Sequence, residues 1–178
     1  MDKILLSGRP RSGKSAFIQA CLRETPLPLG GFAVQRLTRN GETWAFRLLD
    51  LHEEPYITHL ETSRHFPDIA IFMASPGKWQ GIPAVFDDKG SRALARCLEG
   101  NGLVIMDELG IYERDALEFQ AHVFRVLDSP LPVLGVLKDK SSPFLDKVRR
   151  HPAVSVLPFP AAASQAAVRA FLDQVRSR

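Results

Sequence analysis

Residues 8–15, Gly8-Arg9-Pro10-Arg11-Ser12-Gly13-Lys14-Ser15, stand between the apolar run Ile4-Leu5-Leu6 and the helix-prone run Ala16-Phe17-Ile18-Gln19-Ala20-Cys21-Leu22. The stretch fits G-x-x-x-x-G-K-[ST] at a strand-to-helix junction, and nothing else in the chain limits its fold as strongly. Glycines let successive backbone N–H groups curl into a nest around an anion, and the helix that follows adds the positive end of its dipole. The expected ligand is the phosphate tail of a nucleoside triphosphate such as ATP or GTP, bound along residues Gly8 to Ala16. At these offsets Lys14 is expected to bridge the β- and γ-phosphates and the Ser15 hydroxyl to ligate Mg²⁺.

The chain has 178 residues, the length of one domain with an ample core, and residues 1–178 are expected to form a single domain. A net charge of +3 and a sequence pI near 9.1 suit anionic ligands without requiring nucleic acid. No run approaches the roughly 18 apolar residues of a membrane span, and no signal-peptide pattern opens the sequence. Cys21 and Cys97 lie far apart, with no His or Cys at metal-binding spacing, and read as reduced core residues. A cytoplasmic protein is the expectation; the oligomeric state is not written in the sequence.

After a first strand over residues 3–7 and a helix ending near Glu24, two β-prone runs flank Asn40-Gly41 and predict an antiparallel hairpin inserted at about residues 31–60. Tyr56 to Leu60 and Ile69 to Ala74 suggest a second, weaker pair, and the Pro/Gly-rich residues 75–83 read as loop. From Asp88 onward helical and apolar stretches alternate: a helix to Glu99, the apolar run Leu103-Val104-Ile105-Met106, a helix over 115–127, a strand over 132–137, a short helix over 143–150, a strand over 154–159 and a closing helix over 163–176. Uninterrupted apolar strands alternating with helices require right-handed crossovers and a mostly parallel sheet covered on both faces.

Asp107-Glu108 closes the apolar run at 103–106, at the carboxyl edge where open α/β sheets bind ligands and where the phosphate loop also lies. Asp107 is placed to hold the Mg²⁺ shared with Ser15, and Glu108 to orient or deprotonate an attacking water. Lys138 ends the next strand and is a candidate γ-phosphate sensor. Arg9, Arg11, Arg36, Arg39, Arg47 and Arg64 are all candidates for a cation that closes over the triphosphate, and the sequence does not choose among them. Trp44, Phe46 and Trp79 offer rings for stacking on a base or for the core. His52, His59, His65, His122 and His151 show no metal spacing. Arg149-Arg150-His151 and the tail Arg176-Ser177-Arg178 are the only stretches that suggest RNA contact.

These residues resemble the small P-loop nucleoside-triphosphatases of archaea, bacteria and animals. The resemblance covers nearly the whole chain. It rests on the phosphate loop, on Gly31-Phe32 opening the hairpin with Phe46 before Asp50-Leu51, on Gly81-Ile82-Pro83-Ala84-Val85-Phe86, and above all on Asp107-Glu108-Leu109-Gly110-Ile111-Tyr112-Glu113 followed by Phe119. It implies a RecA-like α/β fold that slowly hydrolyses ATP, GTP and other nucleoside triphosphates with Mg²⁺. The departures are specific. The family commonly has Gly where Arg11 stands, tends to have Glu and Arg where Arg36 and Thr43 align, and often shows Thr-x-x-Asn-Arg, which would help to hold the nucleotide, where Pro160-Ala161-Ala162-Ala163-Ser164 stands here.

Three functions follow from this reading. The first is Mg²⁺-dependent hydrolysis of the β–γ phosphoanhydride, with Lys14 and Glu108 as catalytic residues. The second is a P-loop kinase that passes the γ-phosphate to a small hydroxyl acceptor covered by the hairpin. The third is a nucleotide-gated module that binds RNA or protein and hydrolyses weakly.

Overall fold

A computed structural model describes residues 2–178. The strands are β1 (Lys3–Ser7), β2 (Leu29–Arg39), β3 (Glu42–Asp50), β4 (His59–Glu61), β5 (Ile69–Ser75), β6 (Lys78–Gly81), β7 (Leu103–Leu109), β8 (Val133–Leu137) and β9 (Val154–Pro158). They form one sheet in the order β6-β5-β3-β2-β7-β8-β1-β9, with β4 added beside the far half of β2. The block β2-β7-β8-β1-β9 is parallel, and β3, β5 and β6 continue it antiparallel. The helices are α1 (Lys14–Glu24), α2 (Pro83–Val85), α3 (Ser91–Leu98), α4 (Leu117–Asp128), α5 (Pro143–Arg149) and α6 (Ala162–Arg176), with a π-helical turn over Phe86–Gly90 joining α2 to α3.

Successive side chains of a strand point to opposite faces, so a continuous apolar strand can bury both. Ile4 and Leu6 of β1, Leu103 and Ile105 of β7 and Leu134 and Val136 of β8 pack under Ile18 of α1 and Val168 and Phe171 of α6. Leu5, Val104, Met106 and Val133 face the other way, against Leu94 of α3, Phe119 and Val123 of α4 and Leu145 of α5. Phe119 sits between Phe32 and Phe86, with ring centroids 5.1 and 5.4 Å away.

The hairpin is built as the sequence predicts, with Asn40 and Gly41 at φ 50° and 78°, both left-handed as a tight two-residue turn requires. It is not an appendage, however. The first half of β2 (Leu29–Ala33) pairs with β7, so the hairpin is the continuation of the main sheet. Gly31, at φ 90°, permits this, because a Cβ there would lie 2.1 Å from the Ile105 carbonyl oxygen. Two local expectations change. The strand near residue 59 pairs with β2 and the strand from Ile69 with β3 and β6, not with each other. Residues 75–83 also contain β6, because Gly77 at φ 73° turns the chain tightly enough to pair Met73 with Trp79.

Candidate functional site

The phosphate loop follows β1, Asp107 and Glu108 lie at the end of β7, and Lys138 lies just past β8, so three neighbouring parallel strands deliver their ends to one edge of the sheet. Arg11 and Gly13 take left-handed φ values of 56° and 90°. Curling the loop needs them there, which explains why glycine suits the position of Arg11. An arginine held in that region costs about 1–3 kcal/mol of strain. Gly8 packs against the segment just past β9, where a Cβ would meet the Phe159 carbonyl oxygen at 2.5 Å.

Lys14 is buried, and its ammonium crosses the loop to donate to the carbonyls of Gly8 (3.1 Å) and Arg9 (2.6 Å) and to Ser12 Oγ (3.1 Å). Burial lowers its pKa, and the nearby carboxyls of Glu108 and Asp107 oppose that. Ser15 Oγ donates to Asp107 Oδ1 at 3.0 Å. The second oxygen, Oδ2, accepts a short hydrogen bond from the Tyr56 hydroxyl. Burial pushes the Asp107 carboxyl up to about 6 against the pull of both hydrogen bonds. Glu108 is more open and has Lys138 Nζ 3.4 Å from its Oε1.

Tyr56 is the residue that the sequence did not reveal. It lies on an irregular segment fastened from several sides. Arg47 pairs with Glu54 (2.6 Å) and Asp68 (2.7 Å), and Lys89 pairs with the same two carboxylates. Gln35 Nε2 donates to the Ile57 carbonyl, and Gln19 Nε2 to Thr58 Oγ1. The segment therefore links α1, β2 and the end of β7.

The arginines left equivalent by the sequence now differ. Arg47 is committed to its ion pairs and lies over Phe66, Arg64 lies over the same ring, and Arg39 lies over Trp44. Arg9 and Arg11 are exposed on the phosphate loop. Arg36 lines the site cavity, touching Thr43 Oγ1 at 3.3 Å, and no carboxylate among the described residues pairs with it. Phe46 and Trp79 also line the cavity, whereas Trp44 packs against His65. Of the basic stretches at the chain's far end, Arg149, His151, Arg176 and Arg178 meet Asp146, Asp128, Asp173 and Asp2. Cys21 and Cys97 are buried free thiols.

Glu113 is a third acid in the same cavity wall, 2% exposed, with its Oε2 accepting from Gly110 N at 3.1 Å. Burial pushes its carboxyl up to about 8 from an ordinary 4.5, a rise that backbone hydrogen bonds oppose and the charge of Glu108 reinforces. Between those two values the folded state holds a proton that the unfolded chain has released, so stability falls as pH rises through the window. The slope is at most about 1.4 kcal/mol per pH unit. Glu113→Gln keeps an acceptor for Gly110 and removes the titration. Denaturant unfolding between about pH 5 and pH 8 should show the wild type losing stability relative to the variant, and parallel pH curves would exclude this role for Glu113.

A family model described as NTPase matches residues 3–159. The chain belongs to that NTPase family. Among curated relatives, the nucleoside-triphosphatase THEP1 of Thermotoga petrophila is 29% identical over 156 residues, covering 86% of this chain and 82% of the relative. The THEP1 protein of Methanocaldococcus jannaschii is 26% identical over 140 residues, covering 76% and 77%. The crystal structure of THEP1 from Aquifex aeolicus superposes with a TM-score of 0.71 at 16% identity over 99% of both chains. The solution structure of a human cancer-related nucleoside triphosphatase gives 0.67 at 19% identity over 99% and 98%. These superpositions establish the P-loop fold from end to end. Among the described residues no helix is long and apolar enough to cross a membrane.

Proposed function

We propose that residues 1–178 form one cytoplasmic P-loop domain that hydrolyses nucleoside triphosphates, ATP and GTP among them, to the diphosphate and phosphate in a Mg²⁺-dependent reaction. The observation that carries this reading is the meeting of Ser15 with Asp107 at 3.0 Å, beside Lys14 and Glu108 on one sheet edge. Ser15 and Asp107 offer one hydroxyl and one carboxylate oxygen side by side. That fits Mg²⁺, which takes one carboxylate or two together with substrate phosphates and water. Ser15 and Asp107 are the residues that would hold it, where it would neutralise charge on the β- and γ-oxygens.

The chain's own residues supply the rest. The backbone N–H groups of residues 11–15, past Pro10, which has none, cradle the phosphates, and Lys14 places a positive charge at the β–γ bridge. Tyr56, donating to Oδ2, keeps the other oxygen of Asp107 turned towards Ser15. Glu108 accepts the water proton as the water oxygen bonds to the γ-phosphorus and the bond to the β-bridging oxygen breaks. Lys138 stands beside Glu108 and meets the charge developing on the γ-oxygens. Phosphate release measured for each nucleoside triphosphate, with Mg²⁺ and with chelator, tests this directly. Release is expected with Mg²⁺ and lost with chelator, and equal rates under both conditions would overturn the metal-dependent reading.

A further inference from the structure

Away from the phosphate edge, Ser91 opens α3, is 5% exposed, and its hydroxyl has no hydrogen-bond partner among the described residues. A serine within a helix commonly returns its hydroxyl to the carbonyl four residues back. Here the π-helical turn over Phe86–Gly90 carries the Ser91 N–H to the Phe86 carbonyl, five residues back, and the hydroxyl makes no such bond. Burying an unpaired hydroxyl is unfavourable unless something outside the chain supplies the missing partner. Ser91 lines a groove of about 500 Å³ between that turn, α3 and the start of α4. None of the residues lining this groove lines the cavity at the phosphate edge.

The groove is acidic. Asp87, Asp88 and Glu118 all line it, against the single guanidinium of Arg92. Asp87 Oδ1 accepts from Phe119 N at 2.9 Å and so caps α4, which leaves Oδ2 for a ligand. Glu118 forms no ion pair among the described residues, and only its backbone carbonyl is engaged, by His122 Nδ1 at 2.9 Å. Arg92 meets Asp88 at 3.1 Å, but both side chains are about 70% exposed, and a pair so open to water neutralises little. His122 Nε2 lies 3.4 Å from Arg125 Nη1, and a guanidinium can only donate, so that nitrogen is already in use as an acceptor.

The groups left over are all acceptors: the Ser91 hydroxyl oxygen, Asp87 Oδ2 and the Glu118 carboxylate. A primary ammonium carries three N–H donors and no acceptor, which is the complementary set. More than one unneutralised carboxylate calls for more than one positive charge on the ligand. Ala84 and Ala95 line the same groove and offer methyl groups against which a methylene chain packs, as the stem of a lysine does. We propose that this groove binds a small alkyl diamine or polyamine, with one ammonium on Ser91 Oγ and Asp87 Oδ2 and the next on the Glu118 carboxylate. The site is separate from the phosphate edge, so the proposal stands whether or not the hydrolytic reading does.

Calorimetric titration of the nucleotide-free protein with spermidine tests it, with n-butylamine and Mg²⁺ titrated in parallel. One spermidine per chain is expected, bound more weakly as ionic strength rises, with n-butylamine weaker by about tenfold or more. Asp87→Asn should weaken spermidine by about tenfold, while the asparagine oxygen still caps α4. Glu118→Gln should weaken it by about threefold. Ser91→Ala should lower affinity several-fold yet leave the unfolding midpoint of the ligand-free protein unchanged or raised, because it removes a hydroxyl that has no partner. Triphosphate affinity should stay within about twofold in all three variants, which shows that each is folded and that spermidine is not read at Asp107 and Glu108. The proposal is overturned if spermidine gives no binding heat, if Asp87→Asn and Ser91→Ala both leave its affinity unchanged, or if n-butylamine binds as tightly. It is equally overturned if Mg²⁺ binds the groove more tightly than spermidine and displaces it, since the site would then be one for divalent cations. A lower unfolding midpoint for ligand-free Ser91→Ala would show the hydroxyl to be satisfied already and would remove the observation on which the proposal stands.

Discussion

Glu108→Gln is expected to keep triphosphate affinity within a few-fold of the wild type and to slow phosphate release by about 10²–10⁴-fold, the usual contribution of a positioned general base. The substitution preserves shape and an oxygen that can accept from Lys138, and it removes the negative charge and with it the proton acceptor. Asp107 cannot take over, because both of its oxygens are occupied, one by Ser15 and the other by Tyr56. Glu113 cannot either: burial holds its carboxyl protonated near neutral pH, and its Oε2 is tied to Gly110 N. Three acids thus lie close together with different environments, and only Glu108 is open enough to exchange with water. Single-turnover hydrolysis alongside titration of a fluorescent nucleotide separates chemistry from binding. Undiminished release in the variant would remove Glu108 from the mechanism and shift attention to Lys138.

What the sequence disclosed and what it withheld divide along a physical line. Lys14, Ser15 and Asp107 were legible because each sits at a fixed offset from a local signal: a glycine loop between a strand and a helix, or the end of an apolar run. The parallel block was legible for the same reason, since strands buried on both faces must be continuously apolar. Tyr56 carries no such signal. It reaches Asp107 from an irregular stretch 51 residues away, held there by Arg47, Lys89 and Gln35, whose partners are set by tertiary folding. β6 was hidden in a Gly/Pro-rich segment because turn residues announce a bend without saying whether strands pair across it. The arginines were indistinguishable as letters and became distinct only through their neighbours: carboxylates and a ring for Arg47, the cavity for Arg36.

The departures from the family pattern can be read in the same terms. Arg11 occupies a left-handed position, so its cost is backbone strain, while its side chain stays exposed at the loop rim. Arg36 and Thr43 touch across the β2–β3 hairpin. A cation is therefore still present on that patch of the cavity wall, carried by the other strand of the pair. The segment after β9 lies beside Gly8 of the loop, on the far side of β1 from Phe46 and Trp79.

Lys14→Ala should raise the dissociation constant for a triphosphate by about 10²-fold or more, since charge-assisted hydrogen bonds are worth about 1.5–3 kcal/mol each and this ammonium is placed to make more than one. Two opposing effects on the protein itself keep the stability change small. Removing Lys14 relieves a buried cation whose pKa burial has already lowered, and it also strips a donor from the carbonyls of Gly8 and Arg9. Arg9 is exposed, so water can replace that donor, and unfolding free energy should move by no more than about 1 kcal/mol. The loss of affinity is then a loss of phosphate recognition and not of fold. Lys14→Arg should not rescue it, because the planar guanidinium cannot take the place of a compact ammonium threaded between two loop carbonyls. Titration with a non-hydrolysable triphosphate and with the matching diphosphate separates the contributions: if Lys14 bridges the β- and γ-phosphates, the triphosphate loses more affinity than the diphosphate. Equal losses would place the ammonium on the β-phosphate alone, and a dissociation constant within threefold of the wild type would take it out of the site.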